Sequence, residues 1–364
     1  MSVAKEQREK LIWEFPNIGK KAPEQEEKAF AYCEGYKEFL NAAKTEREFV
    51  REAVLRLKEA GYEEFEEGKI YQPGDKVYQI NRKKALLMST FGKRPLEDGV
   101  RINVAHIDSP RLDLKPHGVV ILKDGTSVDI CIGEKEGDPV FCVTDLLPHL
   151  AAQQNERKLK DGIKGEELNI IVGSLPYPCE EEDSIKEPVK LLALSILNER
   201  FGMTEKDFLR AEIEFVPAVK ATDVGLDRSL VGAYGQDDKV CAYTALTAEM
   251  KAKSPEYTTV TILADKEEIG SVGNTGLNSD FTLHYIEGLC KAGNVDVRKV
   301  LKHSLCLSAD VNAAYDPTFA SVFEEKNSCY LNKGVVLTKY TGARGIFLND
   351  FLHPFLFIQI KGEA

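Results

Sequence analysis

Apolar and polar positions along the chain follow two periods. Helical spacing of apolar residues predicts helices at 25–60, 189–201, 235–250 and 280–291. Alternating or β-branched apolar runs predict strands at 76–80, 85–90, 100–105, 211–219, 260–263, 304–309 and 334–340. Strands interleaved with helices are typical of an α/β fold.

The segment 112–233 has a different texture from the rest of the chain. Short strand-like pieces alternate there with turn residues, at 118–122, 128–132, 140–143 and 170–172. We therefore predict an inserted β-rich domain at 110–234 and a discontinuous α/β domain formed by 1–109 and 235–364.

Charged residues stand where several predicted strands end. Glu267 and Glu268 follow the apolar run 260–263, and Asp310 follows the run 304–309. Adjacent residues on an extended backbone point to opposite sides. One glutamate is therefore suited to hold a metal while the other faces substrate as a general base.

A histidine and two further carboxylates complete the pattern. His106 and Asp108 end another predicted strand, and Asp237 and Asp238 open a helix. The carboxyl ends of parallel strands converge at one edge of an α/β sheet, where ligands bind. Carboxylates with a histidine suit zinc, manganese or cobalt, and an aspartate between two ions can bridge them. The pattern predicts a site for two divalent metal ions that hydrolyses an amide or an ester.

Each motif also has a purely structural interpretation when taken alone. Glutamates after a strand can form a solvated turn, Asp108 can cap a turn, and acidic residues at 237–238 are favoured by the helix macrodipole. His149, beside Pro148 in an apolar stretch, fits a partly buried structural histidine. The coincidence of several ligand types at strand ends favours the metal site.

Composition narrows the class of protein and its partners. The 364 residues are 43% apolar and carry a net charge of −11 with no basic block, which disfavours nucleic acid and anionic membranes as partners. The charged N-terminus lacks a signal-peptide pattern, and the longest apolar run, 351–360, is too short to span a membrane. Eight scattered cysteines, with no C-x-x-C pair, are typical of reduced thiols in a cytoplasmic protein.

Five short blocks of the sequence carry the residues described above and their surroundings. They are VAHIDSPRLDLKP at 104–116, DLLPHLAAQ at 145–153, GQDDKVCAYTAL at 235–246, DKEEIGS at 265–271 and SADVNAAYDP at 308–317. Together they resemble the aspartyl aminopeptidase and aminopeptidase I family of co-catalytic zinc metallopeptidases. They occur in the order found in the family. Their combination is specific, although each block is short.

The resemblance implies the metal ligands. His106 and Asp310 would bind the first metal ion, with Asp108 orienting His106. Asp237 occupies the bridging position, and Glu268 would bind the second ion. Two zinc ions are expected, with manganese or cobalt as alternatives.

The resemblance also implies catalytic roles and an assembly. Glu267 would be the general base that activates water. His149 would reach the active site of a neighbouring subunit and stabilise the tetrahedral intermediate. The family fold is an α/β/α sandwich interrupted by a β-rich dimerisation domain, and its dimers assemble into a dodecamer. Peptides are the expected substrates, and homo-oligomers are expected.

One segment departs from the family pattern. Residues 346–364 do not resemble the family's continuation, in which a last histidine binds the second metal ion, and the context of His353 does not match that motif. We therefore expect weaker binding of the second ion. The alternative function is a truncated, weakly active or inactive homologue that acts only as a folded subunit.

The choice of substrate stays open at this level. Related di-metal hydrolases include carboxypeptidases and deacylases, which form a further alternative. Family members divide between acidic and neutral or apolar N-terminal residues. Arg111 or Lys115 near the His106 loop can pair with an acidic side chain, but exposed cations are the simpler interpretation.

Overall fold

The computed structural model describes residues 3–12, 17, 19, 22–110, 115–178, 186–336 and 338. The chain divides into two compact units, Met1–Ser109 with Ala221–Ala364 and Pro110–Lys220. Residues 221–234 group with the first unit. Asn41 accepts a hydrogen bond from the Ala221 amide at 2.8 Å, and Lys37 forms an ion pair of 2.5 Å with Asp223.

The described residues contain eight α-helices. They are α1 (Val3–Leu11), α2 (Glu26–Ala42), α3 (Glu46–Glu59), α4 (Ala152–Asn155), α5 (Pro188–Phe201), α6 (Gln236–Lys251), α7 (Phe281–Lys291) and α8 (Val297–His303).

The described strands number thirteen. They are β1 (Glu63–Glu64), β2 (Lys76–Asn81), β3 (Ala85–Thr90), β4 (Arg101–His106), β5 (Lys115–Ile121), β6 (Ser127–Cys131), β7 (Cys142–Val143), β8 (Ile170–Ile171), β9 (Ala211–Val216), β10 (Thr222–Val224), β11 (Leu230–Gly232), β12 (Thr259–Ala264) and β13 (Leu305–Ser308).

A mixed sheet organises the first unit. The described strands are ordered β1-β2-β3-β12-β4-β13. Strand β4 is parallel to β12 and β13, with Ala264 paired to His106 and Ser308 paired to Val104. The three strands therefore end at the same edge of the sheet, and the segments that follow them start there together.

Alternation along the strands divides the core into two layers. Leu86, Met88, Ala105 and Leu263 lie in one cluster with residues of α2, α3 and α6. Their neighbours along the strands contact α7 and α8 on the other face, and these include Leu87, Val104 and Ile262. Successive residues of a strand face opposite sides of the sheet, so helices cover both of its faces. The predicted α/β/α sandwich is confirmed.

The single helix predicted at 25–60 is wrong, because two helices, α2 and α3, occupy this segment. Helix α3 has its own capping box, in which the Thr45 side chain accepts from the Glu48 amide and Glu48 accepts from the Thr45 amide. Phe39 and Phe49 pack edge to face across the break, with ring centroids 4.8 Å apart. The apolar period continues through the turn, so periodicity alone does not reveal the break.

A buried carboxylate fastens α6 to the sheet. Glu249, near the end of α6, is 3% exposed. Its carboxylate accepts hydrogen bonds from Thr90, Thr259 and Thr261 at 2.7 to 2.9 Å. Burial raises the pKa of Glu249, and the threonine hydroxyls partly oppose that rise. Helix α6, whose first turn carries Asp237, is thus held along β12, the strand that leads to Glu267.

The second unit has a small core of its own. Strand β5 pairs antiparallel with both β6 and β9, and Val120, Ile130, Ile132 and Met203 form the buried cluster on this sheet. Helix α5 is rich in leucine and isoleucine, yet none of its residues, all of which are described, is buried.

None of the described helices is both long enough and apolar enough to cross a membrane.

Some sequence predictions fall on residues that the structure does not describe. Residues 334–336 and 338 of the strand predicted at 334–340 are described and form no strand; residues 337, 339 and 340, together with 346–364 and His353, lie outside the described residues.

Candidate metal centre

His106 lies at the buried bottom of the site. It is the last residue of β4, and its side chain is 4% exposed. The Nδ1 atom lies 3.0 Å from the backbone carbonyl oxygen of Asp108 and 3.2 Å from the Asp108 carboxylate. These two acceptors favour a proton on Nδ1, which leaves Nε2 facing the site as a ligand atom.

Carboxylates from three other segments surround Nε2 of His106. The distances are 3.0 Å to Asp237, 3.8 Å to Asp310 and 4.0 Å to Glu267. Ligand atoms of His106, Asp237 and Asp310 all lie within 4.8 Å of one another. The carboxylates are 37% to 54% exposed, so the buried imidazole lies beneath an open acidic rim.

Asp108 holds the two sides of the site together. One carboxylate oxygen accepts the Glu267 amide at 3.1 Å and the other accepts the Glu268 amide at 3.2 Å. Burial alone would raise the pKa of Asp108, but His106 and these amides outweigh that effect and lower it. Asp108 therefore contacts His106 Nδ1 and also fixes the segment that carries both glutamates.

The extended backbone assumed for Glu267 and Glu268 is wrong. Strand β12 ends at Ala264, and the glutamates lie on a 3₁₀ turn, Glu267–Ile269. Lys266 (φ 66°) and Gly270 (φ 93°) on either side are left-handed, which turns the chain back on itself. The Glu267 carboxylate lies 4.0 Å from His106 Nε2, and Glu268 lies close enough to Asp237 to feel its charge. Burial, followed by the nearby Asp237 charge, raises the pKa of Glu268.

The two aspartates that open α6 have different environments. Asp237 is half-exposed and contacts His106, whereas Asp238 is 0% exposed. The peptide bond between them is cis. Burial raises the pKa of Asp238 to about 8. Only Asp237 presents its carboxylate to the ligand cluster.

The electrostatics of the cluster fit a cation. Burial would lower the pKa of His106, but the Asp108 and Asp310 carboxylates raise it instead, to about 11. The surrounding carboxylates therefore favour positive charge at this position. Imidazole nitrogen and carboxylate oxygen are also zinc ligands. The residues present therefore fit a divalent metal ion.

Two residues named in the sequence analysis, His149 and Lys115, lie in the second unit, and a third is not described. His149 lies in an exposed turn of the second unit. Lys115, in the same unit, is buried and forms an ion pair of 3.2 Å with Glu134, so it is not an exposed cation. Arg111 lies outside the described residues.

Sequence reasoning missed two polar residues next to the site, Ser109 and Lys239. Both are buried, and Ser109 donates a hydrogen bond to the backbone carbonyl of Asp237 at 2.6 Å. The one sequence signal that could have pointed to Lys239 is its place in the first turn of a helix, where a positive charge is disfavoured by the macrodipole.

An imidazole and several carboxylates, gathered where parallel strands of an α/β/α sandwich end, define a metallohydrolase centre. The family model described as aminopeptidase I zinc metalloprotease (M18) matches residues 39–118 and 113–350. The chain belongs to this family of metallopeptidases.

Individual relatives agree with this assignment. The chain is 44% identical over 378 residues to a probable M18 family aminopeptidase 1 of Clostridium acetobutylicum, covering 92% of this chain and 80% of that protein. The crystal structure of an M18 family aminopeptidase from Thermotoga maritima is similar at a TM-score of 0.85 and 37% identity, covering 97% of this chain and 88% of that chain. The crystal structure of aminopeptidase I from Clostridium acetobutylicum is similar at a TM-score of 0.82 and 36% identity, covering 97% of this chain and 89% of that chain.

The contacts of Asp108 generate a prediction. Asp108→Asn removes the charge beside His106 and replaces an acceptor oxygen by a donor that faces a backbone amide. Zinc affinity should fall about 10- to 100-fold, measured by competition with a chromogenic chelator. Asp124→Asn is the control, because Asp124 also accepts a backbone amide but lies on an exposed turn of the second unit. Unchanged zinc affinity in Asp108→Asn would contradict the role assigned to Asp108.

Proposed function

We propose that this protein is a di-metal aminopeptidase that removes the N-terminal residue of peptides. The observation that carries the proposal is the convergence of His106, Asp237 and Asp310 within 4.8 Å, with Glu267 beside them. Membership of a zinc metalloprotease family supports the reaction class. Water is the nucleophile, and the peptide bond after the first residue is broken.

The site residues would divide between two metal ions. His106 and Asp310 would hold the first ion, Glu268 would hold the second, and Asp237 would serve both. Such divalent ions would supply polarisation of the scissile carbonyl and a lowered pKa of water. Zinc is the proposed metal, and the same donor set accepts manganese or cobalt.

Glu267 is the proposed general base. Its carboxylate lies 4.0 Å from His106 Nε2 and is 52% exposed, so it borders the ligand cluster and is open to substrate. Asp108 fixes its backbone through the 3.1 Å hydrogen bond to the amide. In this position Glu267 takes a proton from water and returns one to the departing amine.

The family assignment favours an aminopeptidase over the alternatives, because the matching family model is described as aminopeptidase I zinc metalloprotease. Assays with blocked N-termini separate an aminopeptidase from a deacylase.

The second unit is proposed as a dimerisation domain of a homo-oligomer. Helix α5 presents leucine and isoleucine side chains, none of them buried among the described residues. Between α5 and the sheet lies a groove of about 1300 Å³, lined by Phe215, Leu194 and Ile196 among other apolar residues. Contiguous exposed apolar surface of this kind is typical of a subunit interface.

His149 is proposed to serve the site of a neighbouring subunit. Its exposed turn in the second unit leaves the ring open to a partner. There the imidazole would donate a hydrogen bond to the developing oxyanion.

We also propose a cytoplasmic location, because the composition and the scattered cysteines are typical of a cytoplasmic protein with reduced thiols.

The role of Glu267 generates the first prediction. Glu267→Gln should lower kcat about 10³-fold, because the amide cannot accept a proton, while the bound metal is unchanged. The measurements are peptide hydrolysis and metal content by mass spectrometry. Glu256→Gln, an exposed change outside the cluster, is the control. Loss of metal from Glu267→Gln would show that Glu267 is a ligand.

The apolar groove generates the second prediction. Ile196→Glu places a charge in the proposed interface and should shift the protein to smaller species in sedimentation experiments. Leu55→Glu is a matched control, since Leu55 and Ile196 are each 54% exposed and Leu55 lies on α3 of the first unit. An oligomer that survives Ile196→Glu unchanged would contradict the assignment of the interface.

The role of His149 generates the third prediction. His149→Ala should lower kcat about 100-fold and leave metal content unchanged. Co-expression of His149→Ala chains with Glu267→Gln chains should restore about half of wild-type activity per mixed dimer, because one site then combines an intact Glu267 with an intact His149. No recovery in purified mixed dimers would contradict the exchange of His149 between subunits.

A further inference from the structure

We propose that Lys239 is a positioning residue for the metal centre, acting on Asp237 through Ser109. The inference rests on the proposed function, because it concerns the bridging ligand of that site. Lys239 lies in the first turn of α6, two residues after Asp237.

A short relay connects Lys239 to the backbone of Asp237. Lys239 is 1% exposed, and its Nζ donates to the Ser109 hydroxyl at 2.9 Å. The Ser109 hydroxyl in turn donates to the backbone carbonyl of Asp237 at 2.6 Å. Ser109 lies three residues beyond His106, so the relay joins the segment after β4 to the start of α6.

The direction of these hydrogen bonds gives Lys239 its function. A serine hydroxyl rotates freely and can donate in any direction, whereas an ammonium group can only donate. Because Lys239 occupies an acceptor position of Ser109, the Ser109 proton is directed at Asp237. The backbone carbonyl of Asp237 is thereby fixed. This holds the Asp237 carboxylate 3.0 Å from His106 Nε2.

The surroundings of the ammonium group are built to contain it. Gly235 has φ +80°, and a Cβ there would lie 2.5 Å from Lys239 Nζ. The Tyr234 ring centroid lies 4.9 Å from Nζ, which provides a cation–π contact. Tyr234 also donates its hydroxyl proton to the Ser109 carbonyl at 3.2 Å. Burial of an ammonium group is costly, so a lysine used only for packing would be better replaced by an apolar residue.

Cobalt binding tests the proposal directly. Lys239→Met keeps an unbranched side chain that is one atom shorter and removes the donor. We expect about tenfold weaker Co²⁺ binding to the metal-free protein and an altered visible spectrum of the bound ion, because the Asp237 ligand is no longer fixed. In hydrolysis assays kcat should fall more than KM changes. Lys251→Met, at the exposed end of the same helix, is the matched control for loss of a positive charge.

A double-mutant cycle separates the relay from a simple effect of charge. Ser109→Ala interrupts the relay while Lys239 keeps its charge, and it should weaken Co²⁺ binding to a similar extent; Ser109→Thr should restore it. In the Ser109→Ala protein, Lys239→Met should cause little further loss, because both residues act on one path. Circular dichroism and thermal unfolding show which variants are folded.

The outcomes distinguish the relay from the proposed function. Additive losses of affinity, or Co²⁺ binding and spectra unchanged in folded Lys239→Met and Ser109→Ala, would overturn the positioning role while the wild-type protein still binds metal and hydrolyses peptides. A wild-type protein that binds no Co²⁺ would refute the proposed function and, with it, the role of Lys239.

Discussion

The structure of the site depends on one buried carboxylate, that of Asp108. It lies 3.2 Å from His106 Nδ1 and accepts the backbone amides of Glu267 and Glu268. Its side chain is only 9% exposed, so these charge-assisted hydrogen bonds are poorly screened by water. Asp108 thus joins the histidine that ends one strand and the glutamates that follow the neighbouring strand into one hydrogen-bonded group.

The pairing of the strands brings the segments of the site together. Strands β4, β12 and β13 are parallel neighbours, so the residues that follow them start at one edge of the sheet. Helix α6 is fastened to β12 at its far end by Glu249, and its first turn meets that edge. Backbone pairing thus sets the approximate position of each ligand, and the hydrogen bonds of Asp108 and Ser109 set the final geometry.

Much of the site could be predicted from the sequence, because His106, Glu267 and Asp310 follow clear apolar strands and strand ends converge. The turn at Glu267 could not, since it depends on left-handed residues that hydrophobic periodicity does not reveal. The boundary between α2 and α3 was hidden because the apolar period runs through the capping turn. The burial of Lys239 depends on contacts between distant segments, which a single sequence does not record.

We propose that one chain gathers the ligands of two metal ions around Asp237. The direct measurement is the number of zinc, manganese or cobalt ions bound per chain in purified, folded protein, by mass spectrometry and by titration of the metal-free form. Two ions per chain, lost together with peptide hydrolysis on chelation, is the predicted result. One ion or none in folded protein at saturating metal would contradict the di-metal mechanism.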